Sequence, residues 1–411
     1  MDYTIYIKYA TIQDMIIERT LSTRIQKLLK TYPVVTLTGC RQCGKSTLLK
    51  HLLPDYKYVS LEDLDIRQVA ETDPRHFLSI YKDKTIIDEI QRVPSLLSYI
   101  QTAIDLRNET GVYVLTGSHN LLLMQSISQS LAGRTALLTL APFSVDELKN
   151  ASLLPETVNQ VLYKGMYPRI YDKNIDPIDF YPAYTQTYIE RDVRLLKNIS
   201  DVSTFHKFLK LCAGRCSQLL QVSALADDCG ISRKTVEAWL SVLETSYIIY
   251  FLKPYHKNFG KRLIKNAKMY FYDTGLVASL LGITQAEQIE TFYMRGALFE
   301  NFIVSELYKK NLFEGLNDNL YFWRDSNGLE VDIIEEKNLE TFAYEIKACE
   351  TMNRDFMVNL KKLQTLSGIK TENTNIIYGG EKNSSASEFS SGYISWRNVA
   401  TVAPSIARGR H

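Results

Sequence analysis

Hydrophobic and polar positions fall into short blocks whose spacing changes character several times along the chain. Val34-Val35-Thr36-Leu37-Thr38 is a β-type run, and Ser46 to Leu53 beyond it has helical spacing that Pro54 ends. Lys84-Thr85-Ile86-Ile87-Asp88-Glu89 and Val112-Tyr113-Val114-Leu115 repeat the strand pattern. Continuous apolar runs of this kind, separated by helical stretches, predict an α/β domain on a buried parallel sheet. Its last strand is expected at Thr135–Leu140, closed by Ala141-Pro142-Phe143. A mixed helical segment, ending in Arg24-Ile25-Gln26-Lys27-Leu28-Leu29-Lys30, precedes the first strand, and no internal repeat follows.

The pattern then becomes helical. Residues 151–200 carry Gly165-Met166-Tyr167-Pro168-Arg169 and Tyr188-Ile189-Glu190-Arg191-Asp192-Val193-Arg194, whose interleaved charges suit either a solvated helix face or an interdomain contact. Helices are expected at Ser203–Leu220, Val222–Cys229 and Thr235–Leu243, with Gly230 at the turn and Ser232 as a cap. Short helix, glycine turn and capped amphipathic helix form a helix-turn-helix pattern, with Arg233 and Lys234 where a major groove would be met. Lys253–Lys268 carries six Lys/Arg and no acid, among them Lys257, Lys261 and Arg262, interleaved with Tyr255 and Phe259. That is where a wing would contact a phosphate backbone. A protein-binding helix-turn-helix and a merely soluble basic hairpin are the competing readings. Met269-Tyr270-Phe271-Tyr272 reads as a buried strand ending at Asp273-Thr274-Gly275.

In the last segment a helix carries Glu300, and strands follow at Tyr321–Arg324, Glu330–Ile334 and Phe342–Lys347. Strand period two puts Glu345 and Lys347 on one face. Glu300, Asp332 and Glu345 would hold a second Mg²⁺ in a nuclease-like core, with Lys347 assisting a water nucleophile. A hairpin of alternating charge gives the same Glu-x-Lys pattern without a site.

The most specific chemistry sits between the first strand and helix. Gly39-Cys40-Arg41-Gln42-Cys43-Gly44-Lys45-Ser46 is a complete G-x-x-x-x-G-K-S phosphate-binding loop in the required strand–loop–helix setting, with Thr47 next in line. Gly39 and Gly44 allow backbone N–H groups to face phosphates at a helix N-terminus. Lys45 would reach the β/γ-phosphates, while Ser46 and Asp88 would hold Mg²⁺ and Glu89 would deprotonate the attacking water. A polar residue after the third run, such as Ser118 in Thr116-Gly117-Ser118-His119-Asn120, would sense the γ-phosphate. Arg134, in Leu131-Ala132-Gly133-Arg134, would reach the phosphates in cis or a neighbouring subunit's nucleotide in trans; a plain surface arginine is the alternative.

Composition changes the picture little. Of 411 residues, 45% are hydrophobic and 23% charged, as in a soluble globular protein with more than one core, and the net charge of +2 selects no partner. Cys40, Cys43, Cys212, Cys216, Cys229 and Cys349 show no metal-ligand spacing. A disulfide between Cys40 and Cys43 would compete with the loop's curl, so a reducing cytoplasm is expected. No apolar run approaches the ~18 residues of a membrane span, and no secretory leader is evident.

With these residues assembled, the chain resembles prokaryotic ATPases of the AAA+ superfamily that pair an N-terminal P-loop domain with a C-terminal region of unknown function. The markers are Gly39–Ser46, Ile86–Gln91, Leu115–Asn120, Leu131–Arg134, Tyr188–Arg194, Tyr270–Gly275, Gly296–Asn301 and Glu345-Ile346-Lys347. The resemblance implies an ATPase core using ATP and Mg²⁺, a winged-helix unit, and a restriction-endonuclease-like α/β fold. The expected division is a P-loop domain over 1–150, a helical lid or linker over 151–200, a winged helix over 201–285, a nuclease-like domain over 286–400 and a tail over 401–411. DNA is a candidate partner and ring-like homo-oligomers are an open option. His119 and Cys43 depart from the residues usual at their positions.

Overall fold

Five strands, β1 (Val34–Gly39), β2 (Lys57–Ser60), β3 (Thr85–Asp88), β4 (Tyr113–Thr116) and β5 (Thr135–Leu140), form a parallel sheet in the order β2-β3-β4-β1-β5. This computed structural model describes residues 16–117, 130–189, 202–255, 266–316, 319–384 and 391–402. The central strands β1, β3 and β4 are buried along their whole length, whereas the edge strands β2 and β5 include exposed residues. Burial on both faces explains why the central strands read as unbroken apolar runs.

Three helices follow the first sheet's domain at Val202–Ala213, Val222–Cys229 and Arg233–Thr245. Gly230 ends the second in a left-handed conformation, and Ser232 Oγ accepts the Thr235 N–H at 3.1 Å to start the third. The helix expected to continue to Leu220 stops at Ala213, because the chain turns into β6 (Gln218–Leu219).

β6 begins a second sheet with β7 (Ile249–Pro254), β8 (Lys268–Phe271), β9 (Leu320–Arg324), β10 (Glu330–Lys337), β11 (Glu340–Lys347), β12 (Thr374–Tyr378) and β13 (Gly392–Ser395). Among the described residues it is eight-stranded, ordered β13-β12-β11-β10-β9-β7-β8-β6. The hairpin β7–β8 is joined to the C-terminal strands where β7 pairs in parallel with β9, Lys253 opposite Tyr321 and Pro254 opposite Phe322. One sheet therefore crosses the boundary that the sequence placed near residue 286.

The helix Arg295–Glu314 joins the two halves. It buries residues on every side, including Phe299, Ile303, Glu306, Lys309 and Phe313, so it lacks a polar face. Lys309 Nζ donates to the Phe143 carbonyl at 2.8 Å and to Glu306 Oε1 at 2.7 Å, while Glu306 Oε2 accepts the Val145 N–H at 2.7 Å. At its other end Asn301 exchanges two hydrogen bonds with the Phe271 backbone, at 2.7 and 3.0 Å. Two buried charges that satisfy each other and the backbone make this junction specific in register. Among the described residues no helix is long and apolar enough to cross a membrane.

Candidate functional site

The loop Gly39–Ser46 hangs from the C-terminal end of β1, where open parallel sheets place ligands. Gly39 has φ +139°, and a Cβ there would lie 2.0 Å from the Leu140 carbonyl oxygen of the adjacent strand. Gly44 (φ +90°) caps the helix Lys45–Leu52, whose first N–H groups face the loop. The backbone curl therefore requires glycine at both ends. Lys45 is 7% exposed, and its Nζ donates to the carbonyls of Gly39 (2.8 Å) and Cys40 (2.9 Å). A lysine held over the mouth of the loop is a cation placed at a phosphate position.

Asp88, the last residue of β3, gathers the rest of the site. Its Oδ2 accepts Ser46 Oγ at 3.0 Å and also the Tyr58 hydroxyl of β2, while its Oδ1 accepts the Thr116 hydroxyl of β4. Three elements thus fix one carboxylate beside Ser46. Burial first, and then the Asp88 carboxylate, push the Tyr58 phenol above its ordinary range, so it stays a donor. Lys50 Nζ lies 3.6 Å from the centre of the Tyr58 ring, a cation–π contact on the same helix as Ser46. Glu89 follows with φ +57°; its N–H meets Thr116 Oγ1 at 3.3 Å, and its carboxylate accepts Gln91 Nε2. A left-handed non-glycine residue at a strand end marks a site where side-chain direction outweighs backbone comfort.

These groups border a cavity of about 1500 Å³, which Ile17, His51, Pro168, Arg169 and Tyr188 also line. Thr47, Arg41 and Gln42 line it, whereas the Cys40 and Cys43 side chains are buried beneath the loop; Gln42 Nε2 donates to the Tyr188 hydroxyl at 2.8 Å, and the Arg41 guanidinium lies 5.5 Å from the centre of that ring. Arg19 enters from the N-terminal segment. It donates to the Cys43 carbonyl at 2.8 Å and the Ala141 carbonyl at 2.6 Å, and pairs with Glu147 at 3.2 Å. Arg169 reaches the cavity because Asp273 holds its neighbourhood: Asp273 Oδ2 accepts the Met166 N–H at 2.6 Å and Oδ1 the Tyr181 hydroxyl at 2.7 Å. Tyr58, Arg19 and Arg169 were not picked out by sequence. Only Arg169 left a signal, in the Gly-x-x-Pro-Arg cluster after the sheet.

A nucleotide with Mg²⁺ fits this donor set on the structure's own terms. A hydroxyl and a carboxylate stand adjacent, a lysine lies on the loop, and two positions exclude a Cβ or demand positive φ.

Arg134 is not brought to the loop. It precedes β5, at the end of the sheet opposite Gly39, and forms a two-point pair with Asp105 at 2.6 and 2.9 Å. In a parallel sheet the two ends are separated by the strand length, so reach in cis is lost. Ser118, Lys257, Lys261 and Arg262 lie outside the described residues, as do His119, Asn120 and Glu190–Arg194. Arg233 and Lys234 are exposed at the start of their helix.

The second carboxylate cluster gains a lysine that the sequence reading did not include. Glu345 and Lys347 do share a face, with Lys347 Nζ 2.7 Å from Glu345 Oε1. Lys268 Nζ, however, comes from β8 to meet Glu300 Oε1 at 3.0 Å and also pairs with Glu330. Asp332 Oδ2 is taken by the Ile346 N–H at 2.8 Å. Among the described residues no three His, Cys, Asp or Glu side chains are grouped to hold a metal ion. Glu300 and Glu345 are each paired with a lysine, Lys268 and Lys347. Burial, reinforced by Asp332, raises Glu300 to about 7 and Glu345 to about 8.

Residues 31–149 match the family model described as an AAA domain. Residues 155–287 match a domain of unknown function (DUF8612), and residues 295–397 another (DUF4143). Among curated proteins the chain is 28% identical, over 379 residues, to the uncharacterized protein Rv2008c of Mycobacterium tuberculosis (strain ATCC 25618 / H37Rv), covering 90% of this chain and 82% of that protein. The same figures hold for the uncharacterized protein Mb2031c of Mycobacterium bovis (strain ATCC BAA-935 / AF2122/97). Among solved structures the chain is similar to the Walker-type ATPase PABY2304 of Pyrococcus abyssi, with 18% identity, a TM-score of 0.40, and coverage of 64% of this chain and 96% of that one.

Proposed function

We propose that this chain, an AAA-type P-loop ATPase with a C-terminal domain of unknown function, binds and hydrolyses Mg·ATP and uses the cycle to move its C-terminal half against a DNA or protein partner. The observation that carries this reading is the convergence of Ser46, Tyr58 and Thr116 on Asp88 beside a loop already covered by Lys45. Lys45 and the loop N–H groups would hold the phosphates, and Ser46 with Asp88 would hold Mg²⁺, which supplies charge neutralisation at the transferring phosphoryl group. Glu89 is the carboxylate placed to take a proton from water. Its strained backbone and its bond from Gln91 fix where that carboxylate points.

An output through the C-terminal half is supported by direct contacts to the loop's supports. Arg19 links the Cys43 carbonyl to Glu147, and the Glu306–Lys309 pair carries the same segment to the helix Arg295–Glu314. The exposed Arg233 and Lys234, at the head of a capped helix following a glycine turn, support nucleic acid as the partner. The carboxylate network around Glu300 is read as structural, since each carboxylate already has a partner within the fold: Lys268 for Glu300, Lys347 for Glu345 and the Ile346 N–H for Asp332. Incubating linear and plasmid DNA with Mg²⁺ or Mn²⁺ should give no cleavage; cleavage abolished by Asp332→Ala would overturn that reading.

The decisive experiment is steady-state ATP hydrolysis with and without DNA. Lys45→Ala should abolish nucleotide binding. Glu89→Gln should keep binding and lower turnover by about 10²–10⁴-fold, as expected for loss of a general base. Wild-type turnover in Glu89→Gln would sink the role assignment, and near-zero turnover in the wild type under all conditions would leave a nucleotide-binding scaffold.

A further inference from the structure

Arg41 and Gln42, at the crown of the phosphate loop, are both met by one side chain from outside the sheet. Gln42 Nε2 donates to the Tyr188 hydroxyl at 2.8 Å, and the Arg41 guanidinium lies over the Tyr188 ring, 5.5 Å from its centre. Gln42 adopts φ +60°, and its Oε1 is buried with no hydrogen-bond partner among the described residues, so the contact with Tyr188 orients that amide. A left-handed non-glycine residue persists only where its surroundings fix it. Tyr188 is itself held in place. The helix Pro177–Tyr184 contains Pro182 and widens into a π-helical turn, Thr185–Ile189, from which Tyr188 lines the cavity. The Thr185 and Thr187 hydroxyls tie this turn to the carbonyls of Tyr181 and Ala183, at 2.9 and 2.6 Å. The Tyr184 ring packs 5.5 Å from that of Tyr188, and its hydroxyl accepts from Tyr167 at 3.0 Å.

Among the described residues three arginines line the cavity, Arg19, Arg41 and Arg169. Arg19 is committed to the Cys43 and Ala141 carbonyls and to Glu147. Arg169 rises at the helix end of the loop, next to Pro168, whose Cγ would lie 3.9 Å from a Cβ on Gly44. Arg41 leaves the loop elsewhere. Lys45 Nζ donates at 2.9 Å to the Cys40 carbonyl, which belongs to the peptide bond joining Cys40 to Arg41. The Arg41 stem therefore starts where the charge meant for the β/γ-phosphates sits.

We infer that Arg41 is the arginine that meets the terminal phosphate in cis, and that Tyr188 is the positioning residue that holds its guanidinium over the loop. The inference rests on the ATP reading of the site. A transferring phosphoryl group spreads its charge over its outer oxygens, and a planar guanidinium answers with paired N–H donors. Arg134, paired with Asp105 at the far end of the sheet, leaves that role open within the chain. An arginine on a loop has many rotamers to lose when it binds, and a ring beneath it removes much of that cost in advance. Attraction between a cation and a tyrosine face is weak beside a charge-assisted bond to phosphate, so the contact orients Arg41 without withholding it. Tyr188 stands in the helical segment beyond the sheet, and that segment thereby completes the phosphate site.

The test uses the full-length chain with Arg41→Ala, Tyr188→Phe, Tyr188→Leu and the Arg41→Ala, Tyr188→Leu double variant. Affinities for Mg·ATP and Mg·ADP are measured by calorimetric titration, and turnover at saturating ATP by phosphate release. Arg41→Ala should lose about tenfold in ATP affinity and at least about 10²-fold in turnover, with ADP affinity within about twofold of the wild type. The ADP titration also shows that each variant is folded. Tyr188→Leu should lower turnover by about tenfold, whereas Tyr188→Phe, which keeps the ring beneath the guanidinium, should retain most of it. In the Arg41→Ala background Tyr188→Leu should cost nothing further, because the tyrosine acts through the arginine. A tyrosine that only supports the fold would give the same loss in both backgrounds, and that outcome would overturn its positioning role. Equal losses of ATP and ADP affinity in Arg41→Ala, or turnover matching the wild type, would overturn the assignment of Arg41. The ATP reading fails by a different result, a wild-type chain that binds neither nucleotide.

Discussion

The Tyr247 hydroxyl donates a 2.8 Å hydrogen bond to Thr38 Oγ1, tying the residue just past the helix Arg233–Thr245 to the strand position immediately before the phosphate loop. Thr38 Oγ1 in turn donates to the Leu138 carbonyl at 3.1 Å. Both residues are buried, and Tyr247 adopts φ +58° to reach its partner. The capped helix and the loop therefore share one polar contact inside the core.

Tyr247→Phe tests that contact. Removing the hydroxyl should cost about 1 kcal/mol of stability while keeping the ring's packing against Tyr272. An ATP analogue should change hydrogen exchange over residues 233–245 in the wild type, and that change should shrink in the variant. An unaltered response would show that the contact does not carry the signal.

Arg169→Ala should weaken binding of ATP by about tenfold, and that of ADP by less, because the side chain is an exposed cation on the wall of the phosphate cavity. Calorimetric titration of both nucleotides measures the two losses. Thermal stability should barely change, since the guanidinium supports no buried element. Equal losses for ATP and ADP would remove Arg169 from the terminal phosphate.

The carboxylate network predicts a pH dependence. Glu300 and Glu345 have folded-state values raised to about 7 and about 8, above their ordinary value of 4.5, so the folded protein binds more protons between these limits. Stability from this source is complete below about pH 4.5 and falls as pH rises toward 7–8. Glu345→Gln should flatten that decline, as read by chemical denaturation at several pH values. An unchanged slope would mean that Glu345 is ionised in the fold at neutral pH.

Arg233 and Lys234 test the nucleic-acid partner. Replacing both with alanine should lower DNA affinity and reduce the slope of log K against log salt by about one per lost phosphate contact. Salt-dependent anisotropy measures this; an identical slope would move any DNA contact elsewhere.

The parallel sheet and the loop were legible because both signals are local. Residues 135–140 were expected as the last strand of the first sheet and form β5, and Val222–Cys229 was expected as a helix and is one. A buried strand announces itself by apolar residues alone, and a phosphate loop by glycines a fixed distance from a lysine. The helix Arg295–Glu314 carries no such signal for its position, since burial on all sides erases the polar face that periodicity detects. Tyr58 was missed for a similar reason: a lone tyrosine on an edge strand becomes part of the site only when β2 lies beside β3.

The sequence by itself determined that this protein curls a glycine loop around a lysine and a serine, with two carboxylates at the end of a nearby apolar strand. Those features depend on residue type and short spacing, which the chain carries wherever it folds. Tertiary structure decided the rest. It sent Arg134 to the far end of the sheet, because parallel strands separate their two ends, and it brought Arg169 to the cavity through Asp273, more than a hundred residues away in the chain. It also set Lys268 of β8 between Glu300 and Glu330, among carboxylates that the sequence could only count.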